Sequence, residues 1–424
     1  MAAPKEMTLE TLEFAQFIRP GDAVIWGQVS SEPLPLTSRL MAQRASTGGF
    51  SVFLGATYSD IVQPAYADHV RFRAIGGNAS NGKLAKAGVL EVIPVQLSNI
   101  APYIEQGFLP CDVALVQLTE DPDGNYRFAV GSDYIVAAAS KARVVIGEVN
   151  AQAPRTFGPH TLPRERVACV VRTDRPVLQI PPSPVGAIER QIATHISRYI
   201  DDGTTLQMGI GSIPEAVMSC LTDRRELGIH SGMIGDSLVD LIEAGAVTND
   251  RKPIDRGKTV TGMLGGTDRL YRFADRNPQI VMHTVAYTHG AGVLATLPKL
   301  VSINGALEVD LTGQVNSEVA NGLQVGAVGG ALDYVRGAHR SVGGRSIIAL
   351  PSTARNGALS RIVVSLNGPV STSRSDVDVI VTEYGAAELR GRSLSERIKA
   401  MIRIAHPDFR DALSRQVFEQ RRHT

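Results

Sequence analysis

Phe17-Ile-Arg-Pro-Gly-Asp-Ala-Val-Ile-Trp-Gly27 and Tyr199-Ile-Asp-Asp-Gly-Thr-Thr-Leu-Gln-Met-Gly209 follow one plan. Gly21 and Gly203 stand 182 positions apart, and so do Gly27 and Gly209. In each copy a helix end leads into a Gly turn, a short apolar strand and a second Gly. A proline, Pro33 or Pro214, then opens an apolar helical run. Glycine recurs at turns because it alone takes positive φ without steric cost, so the weight rests on turn, strand and helix agreeing together. The expectation is two homologous halves. A single core stops growing at roughly 250 to 300 residues, and 424 residues let each half bury its own.

The rest of the chain has the same texture. Apolar runs at Ala23–Trp26, Val113–Gln117, Val144–Ile146, Ile347–Leu350 and Val377–Val381 read as buried strands, and Val185–Ile200 and Leu394–Ile404 as helices. This alternation predicts an α/β fold with largely parallel sheets. Residues 173–184, TDRPVLQIPPSP, hold four prolines just before a helical pattern. The expected division is therefore 1–178 and 179–424. So short a join makes the halves pack closely around a cleft.

Composition removes several function classes. Lys plus Arg (43) nearly balances Asp plus Glu (42), and no basic stretch offers the surface that nucleic acid requires. Cys111, Cys169 and Cys220 are too few and too scattered for a disulfide framework or a Cys-rich metal site. The N-terminal stretch has no apolar h-region, and no run reaches the roughly 18 apolar residues of a membrane span. A cytoplasmic protein without metal, nucleic-acid or membrane partner is the expectation.

Gly209-Ile-Gly-Ser-Ile-Pro214 follows a strand and opens a helix. The N–H groups near Gly209 and Gly211 either receive an anion or carbonyl oxygen there or simply form a tight turn. Gly326, Gly329 and Gly330 form a second glycine cluster, suited to a long ligand or to plain turn chemistry. His230 lies in a strand followed by a loop of small residues, 227–236, where Ser231, Gly232, Gly235 and Asp236 would let a substrate approach. No His-Cys-Asp spacing around it fits a metal. Alternation puts Glu308 and Asp310 on one strand face, read as a structural hydrogen-bonded pair. Glu318 and Glu383 remain candidate acids.

With these segments in order, the chain resembles the acetyl-CoA hydrolase/transferase family, among the family I CoA transferases that include 4-hydroxybutyrate CoA-transferases. The likeness spans nearly the whole chain. It rests on LQMGIGSIP, LGIHSGMIGDSLVDLIEAGAVTN, INGALEVDLTGQVNSE, VGGALDYVRGA, LPSTARNGALSRIV, VTEYGAAELRG and IAHPDFRDAL. The resemblance implies two CoA-transferase-type domains with the active site in the cleft between them, and a homodimer or homotetramer. The substrate would be an acyl-CoA thioester, with a carboxylate acceptor and no tightly bound cofactor.

In that family a glutamate attacks the thioester, giving an acyl-glutamyl anhydride and then a glutamyl-CoA thioester. The family loop reads His-Thr/Ser-Glu-Met, and this chain reads His230-Ser231-Gly232-Met233. Gly232 has no side chain to carry an anhydride. Three explanations compete: another carboxylate is the nucleophile, the reaction is noncovalent, or the chain is a catalytically silent CoA-binding or scaffold subunit. If catalysis survives, the vacated space holds a water or a larger acyl group, and such a water would hydrolyse a thioester, or a C–C bond of a β-keto acyl-CoA. Glu32, His230, Asp236 and Glu318 are then the candidate bases, and the N–H groups near Gly209 and Gly211 the oxyanion donors. The acyl group would face Gly232, with CoA along the loop 326–330.

Overall fold

The computed structural model describes residues 4–422; the outermost residues of the two expected halves lie outside it. Two large sheets organise the chain. In the first, the strands run in the order Lys5–Met7, Cys169–Thr173, Val144–Asn150, Val113–Glu120, Ala23–Trp26, Phe50–Leu54, Val70–Ala74 and Leu90–Val92. These neighbours are all parallel. In the second, the order is Ile280–Met282, Thr259–Thr261, Gly228–Ser231, Thr205–Met208, Leu300–Gly305, Arg345–Ala349, Val379–Thr382 and Gly385–Glu388. Only the last pair is antiparallel.

The repeated segment occupies the same place in both sheets. Ala23–Trp26 lies between the strands at 113–120 and 50–54, and Thr205–Met208 between those at 300–305 and 228–231. Every residue of both strands is buried, as strands covered on both faces must be, and Gln207 is the one large polar side chain among them. Leu36, Leu40 and Met41 of the helix Leu34–Gln43 join Val24, Trp26 and Leu115 in one core. Leu206 and Met208 share another with Ile192, Ala193 and Val217.

Some expectations shift in detail. The helix expected at 185–200 is Ala187–Ile196 followed by a 3-10 turn, Ser197–Tyr199. Pro33 directly precedes its helix, whereas Pro214 is the third residue of Ser212–Ser219, where a missing N–H costs nothing because the first-turn donors have no intrahelical acceptor. A small third sheet, Glu308–Asp310 with Val315–Asn316 and Ile362–Val363, was not foreseen. Both acids read as a pair lie on its first strand but bond different partners. Glu308 accepts from the N–H and side chain of Asn367, and Asp310 organises its own turn through Thr312 and Gln314.

Main-chain hydrogen bonds join the two sheet systems: Ser132 N–H to Gly262 O (2.9 Å), Leu264 N–H to Val130 O (2.9 Å), Leu97 N–H to Gly329 O (3.0 Å) and Gly77 N–H to Gly326 O (3.1 Å). No helix among the described residues is long and apolar enough to cross a membrane.

Candidate active site

Each sheet changes direction of growth at its repeated strand, with neighbours added on opposite sides. In open α/β sheets such switch points leave a crevice at the carboxyl ends of the strands. Here the two crevices open on one cavity of about 220 Å³. Gln28 and Val29 reach it from the end of the first repeated strand, and Gln207 and Gly209 from the second. Ser231, Gly232 and Met233 enter at the end of the strand Gly228–Ser231, and Asn304 from Leu300–Gly305, on the other side of Thr205–Met208. Much of the wall is apolar, including Ile75, Leu97, Met263 and Val285, and its polar groups are few.

Gly232 lies on the cavity wall, and its surroundings explain the glycine. A Cβ at this position would lie 2.6 Å from Cε1 and 2.9 Å from Nε2 of His289, closer than real Cβ atoms approach other atoms. A Cβ on Gly330 would run into the same Nε2. The imidazole thus sits in space that two glycines leave open. His289 is 4 % exposed, and burial pushes its pKa down to about 3, so the ring is neutral at ordinary pH. Its Nδ1 lies 2.9 Å from Thr288 Oγ1. Tyr334 packs against it with ring centroids 4.6 Å apart, and the buried Tyr334 hydroxyl, although the Thr288 side chain is near enough to interact with it, makes no hydrogen bond of good geometry among the described residues.

Asp133 supplies a carboxyl group to the cavity wall. It accepts from the Gln28 amide (2.6 Å) and from Ile135 N–H (3.1 Å), and burial raises its pKa to about 6 despite those bonds. Gln207 and Asn304 bond each other through their amides, Asn304 Nδ2 donating to Gln207 Oε1 at 3.0 Å.

The residues singled out from sequence divide into three groups. Gly209, Gly232, Gly329 and Gly330 line the cavity. Gly211 and Asp236 line a separate hollow of about 320 Å³ with Tyr58 and Glu215, and both Asp236 oxygens accept from Thr267 N–H. His230, Glu32, Glu318 and Gly326 line neither.

His230 is fully buried and its Nε2–H donates to the Thr288 carbonyl (3.2 Å), beneath the peptide that leads to His289; burial is the main reason its pKa falls to about 3. Glu32 is sealed, accepting from Tyr58 N–H (2.8 Å) and the Ser59 hydroxyl, and burial pushes its pKa up to about 7. Glu318 accepts from the Ser371 hydroxyl at 2.6 Å, and Glu383 from Ser352. Gly326 is glycine because a Cβ there would strike the Ser317 carbonyl.

Sequence reading missed His289, Asp133, Gln28 and Tyr334 as cavity residues. Two of them stood near noted motifs, Gln28 directly after Gly27 of the repeated segment and Tyr334 four residues after Gly330. Among the described residues no cluster of His, Cys, Asp and Glu is arranged to hold a metal ion.

Two largely parallel sheets with facing switch points, and a cavity lined from both, define a two-sheet α/β protein. The chain belongs to the acetyl-CoA hydrolase/transferase family: residues 5–181 match its N-terminal domain and residues 266–417 its C-terminal domain. It is 37% identical to 4-hydroxybutyrate coenzyme A transferase of Clostridium kluyveri over 92% of both chains. It is 35% identical to succinyl-CoA:cyclohexane-1-carboxylate CoA transferase of Geobacter metallireducens over 97% of this chain and 94% of the relative. The crystal structure of RipA from Yersinia pestis superposes with a TM-score of 0.93 at 33% identity, covering 98% of each chain. The protein is an enzyme of acyl-CoA chemistry.

Proposed function

We propose that the enzyme hydrolyses an acyl-CoA thioester by direct attack of water in the cavity before Gly232, without an acyl-glutamyl intermediate. One observation carries this reading: the His289 ring fills the space that a side chain on residue 232 would need, at the position where the family resemblance would put the nucleophilic glutamate. The other carboxylates are poor replacements. Glu32 and Glu318 lie outside the cavity lining, and both Asp133 oxygens already accept hydrogen bonds, which blunts a carboxylate as a nucleophile.

The acyl group then faces Gly232 and the CoA chain passes along Gly329, where a Cβ would meet nothing within 4 Å. On this reading the enzyme is a cytoplasmic homo-oligomer, and each subunit divides into domains 1–178 and 179–424.

The test is multiple turnover in H₂¹⁸O with a panel of acyl-CoAs, with and without acetate, following free thiol, new thioesters and label separately by mass spectrometry. Label is expected in the released carboxylate and in no Asp or Glu peptide of the enzyme. Label in an enzyme carboxyl group, or CoA passed to acetate in preference to water, would overturn direct water attack. A pure protein inert toward every acyl-CoA would favour the silent CoA-binding subunit instead.

A further inference from the structure

We infer that His289 is the proton-accepting catalytic residue, standing in the space that Gly232 and Gly330 vacate, and that Tyr334 donates a hydrogen bond to the substrate carbonyl beside it. The assignment rests on the preceding reading of the cavity and adds the groups that perform the reaction.

Three observations carry it. The first is position: Nε2 of His289 would lie 2.9 Å from a Cβ on residue 232, so it occupies the place where a reacting side chain would begin, and the ring lines the cavity. The second is the tautomer. Thr288 Oγ1 lies 3.2 Å from the Thr284 carbonyl and 2.9 Å from His289 Nδ1. A carbonyl only accepts, so the assignment that satisfies both contacts has the hydroxyl donating to Thr284 O and accepting from Nδ1–H. Nε2 is then left with a free lone pair and no protein partner.

The third is Tyr334. A buried phenol without a hydrogen bond of good geometry is costly unless something completes it. This one lies 3.6 Å from the Cβ position of residue 232, on the same side as the imidazole. A thioester carbonyl oxygen placed there supplies the missing acceptor.

The chemistry follows in two steps. Water oxygen attacks the thioester carbonyl carbon as Nε2 takes one of its protons, and the carbonyl oxygen becomes an oxyanion held by the Tyr334 hydroxyl. The oxyanion collapses, the C–S bond breaks, and the imidazolium returns its proton to the departing sulfur. A carboxylic acid and free CoA thiol leave, and the enzyme is unchanged. Burial keeps the resting imidazole neutral and disfavours its protonated form, so proton transfer depends on the developing oxyanion offsetting the imidazolium charge in the transition state.

The test compares wild type with His289→Ala, His289→Gln and Tyr334→Phe, following thiol release from acyl-CoAs and CoA transfer to acetate. His289→Ala should lower the hydrolytic kcat by on the order of 100-fold or more, with smaller change in KM. Added imidazole should restore part of that rate in the Ala variant, which carries the cavity, but not in the Gln variant. Tyr334→Phe, which removes one oxygen and no packing, should lower kcat by on the order of 100-fold. A hydrolytic kcat unaffected in both His289 variants, or a loss in His289→Ala that imidazole does not touch, overturns the base assignment and leaves the hydrolase reading standing. Wild type that transfers CoA but does not hydrolyse overturns the hydrolase reading, and transfer that survives in His289→Ala then overturns the base as well. Wild type inert in both assays overturns both.

Discussion

Ser98 in the first half of the chain holds Asp333 in the second through two hydrogen bonds, its hydroxyl to Oδ1 at 2.7 Å and its N–H to Oδ2 at 3.2 Å. Each residue sits in the first turn of a helix, Leu97–Gln106 and Ala331–Arg340, whose neighbours Leu97 and Tyr334 line the cavity. The carboxyl group therefore serves a free first-turn N–H of the opposite half.

That contact predicts a pH dependence of stability. Burial raises Asp333 from 3.8 to about 6, outweighing the Ser98 bonds that pull it down. A carboxyl whose folded pKa is raised contributes stability that is fully present below its unfolded pKa and lost as pH rises through the folded one. The window runs from about pH 4 to pH 6. Between those limits wild type should lose about 3 kcal/mol relative to Asp333→Asn, which keeps the hydrogen-bonding shape but does not titrate. His289 and His230, with lowered pKa values, push the other way, so the difference between the two proteins is the quantity to follow. Urea midpoints from pH 4 to 8 measure it, and a constant difference would remove Asp333 from the account.

The shared space of Gly232 and His289 predicts strong coupling. Gly232→Ala should cost about 1–3 kcal/mol by overpacking, and Gly232→Glu at least as much. Adding His289→Ala to Gly232→Glu should recover 1 kcal/mol or more relative to the sum of the single changes. Denaturant unfolding of all four proteins closes the cycle. Additive effects would mean that the two side chains do not compete.

The cavity wall predicts the charge of the acyl group. Among its described lining residues there is no Lys or Arg, while Asp133 contributes a carboxyl group. A second carboxylate at the far end of the substrate would be desolvated without a partner, a cost of several kcal/mol. Butyryl-CoA should therefore exceed succinyl-CoA in kcat/KM by on the order of 100-fold or more. Comparable values for the two would contradict an uncharged acyl site.

The seam between the halves predicts where glycine is indispensable. A Cβ on Gly76 would strike the Gly326 carbonyl, and one on Gly77 the Gln324 carbonyl; both obstacles are backbone and cannot swing aside. Gly76→Ala should cost about 2 kcal/mol. Gly292, inside the helix Ala291–Ala295 with nothing within 4 Å of a Cβ, should instead gain about 0.5–1 kcal/mol on becoming Ala. Thermal unfolding of the two variants ranks them, and equal shifts would count against the close approach at Gly76.

The architecture was legible because it is local. Ala23–Trp26 and Thr205–Met208 announce themselves as buried strands between glycine turns, and their constant offset places them at equivalent central positions in the two sheets. The loop at Gly232 was legible as well, since a run of small residues after a parallel strand marks a crevice. His289 was not. It stands 57 positions further on, in a Thr-His-Gly-Ala stretch without strand or helix periodicity, and its meaning lies in a void opposite two glycines that only the packed chain brings together. Glu32 and His230 failed for the converse reason: a sequence shows that a group can ionise, but not that Ser59 or Thr288 already encloses it.

The mutual exclusion at the cavity also orders the routes by which such a site can change. With His289 in place, a side chain at residue 232 has nowhere to go, so a carboxylate there becomes admissible only after the ring has been replaced by something smaller or has swung out. The reverse passage needs the carboxylate to disappear first. Between the two forms lies an intermediate with neither group, an open cavity able to hold an acyl-CoA but lacking both a nucleophile and a base at this place.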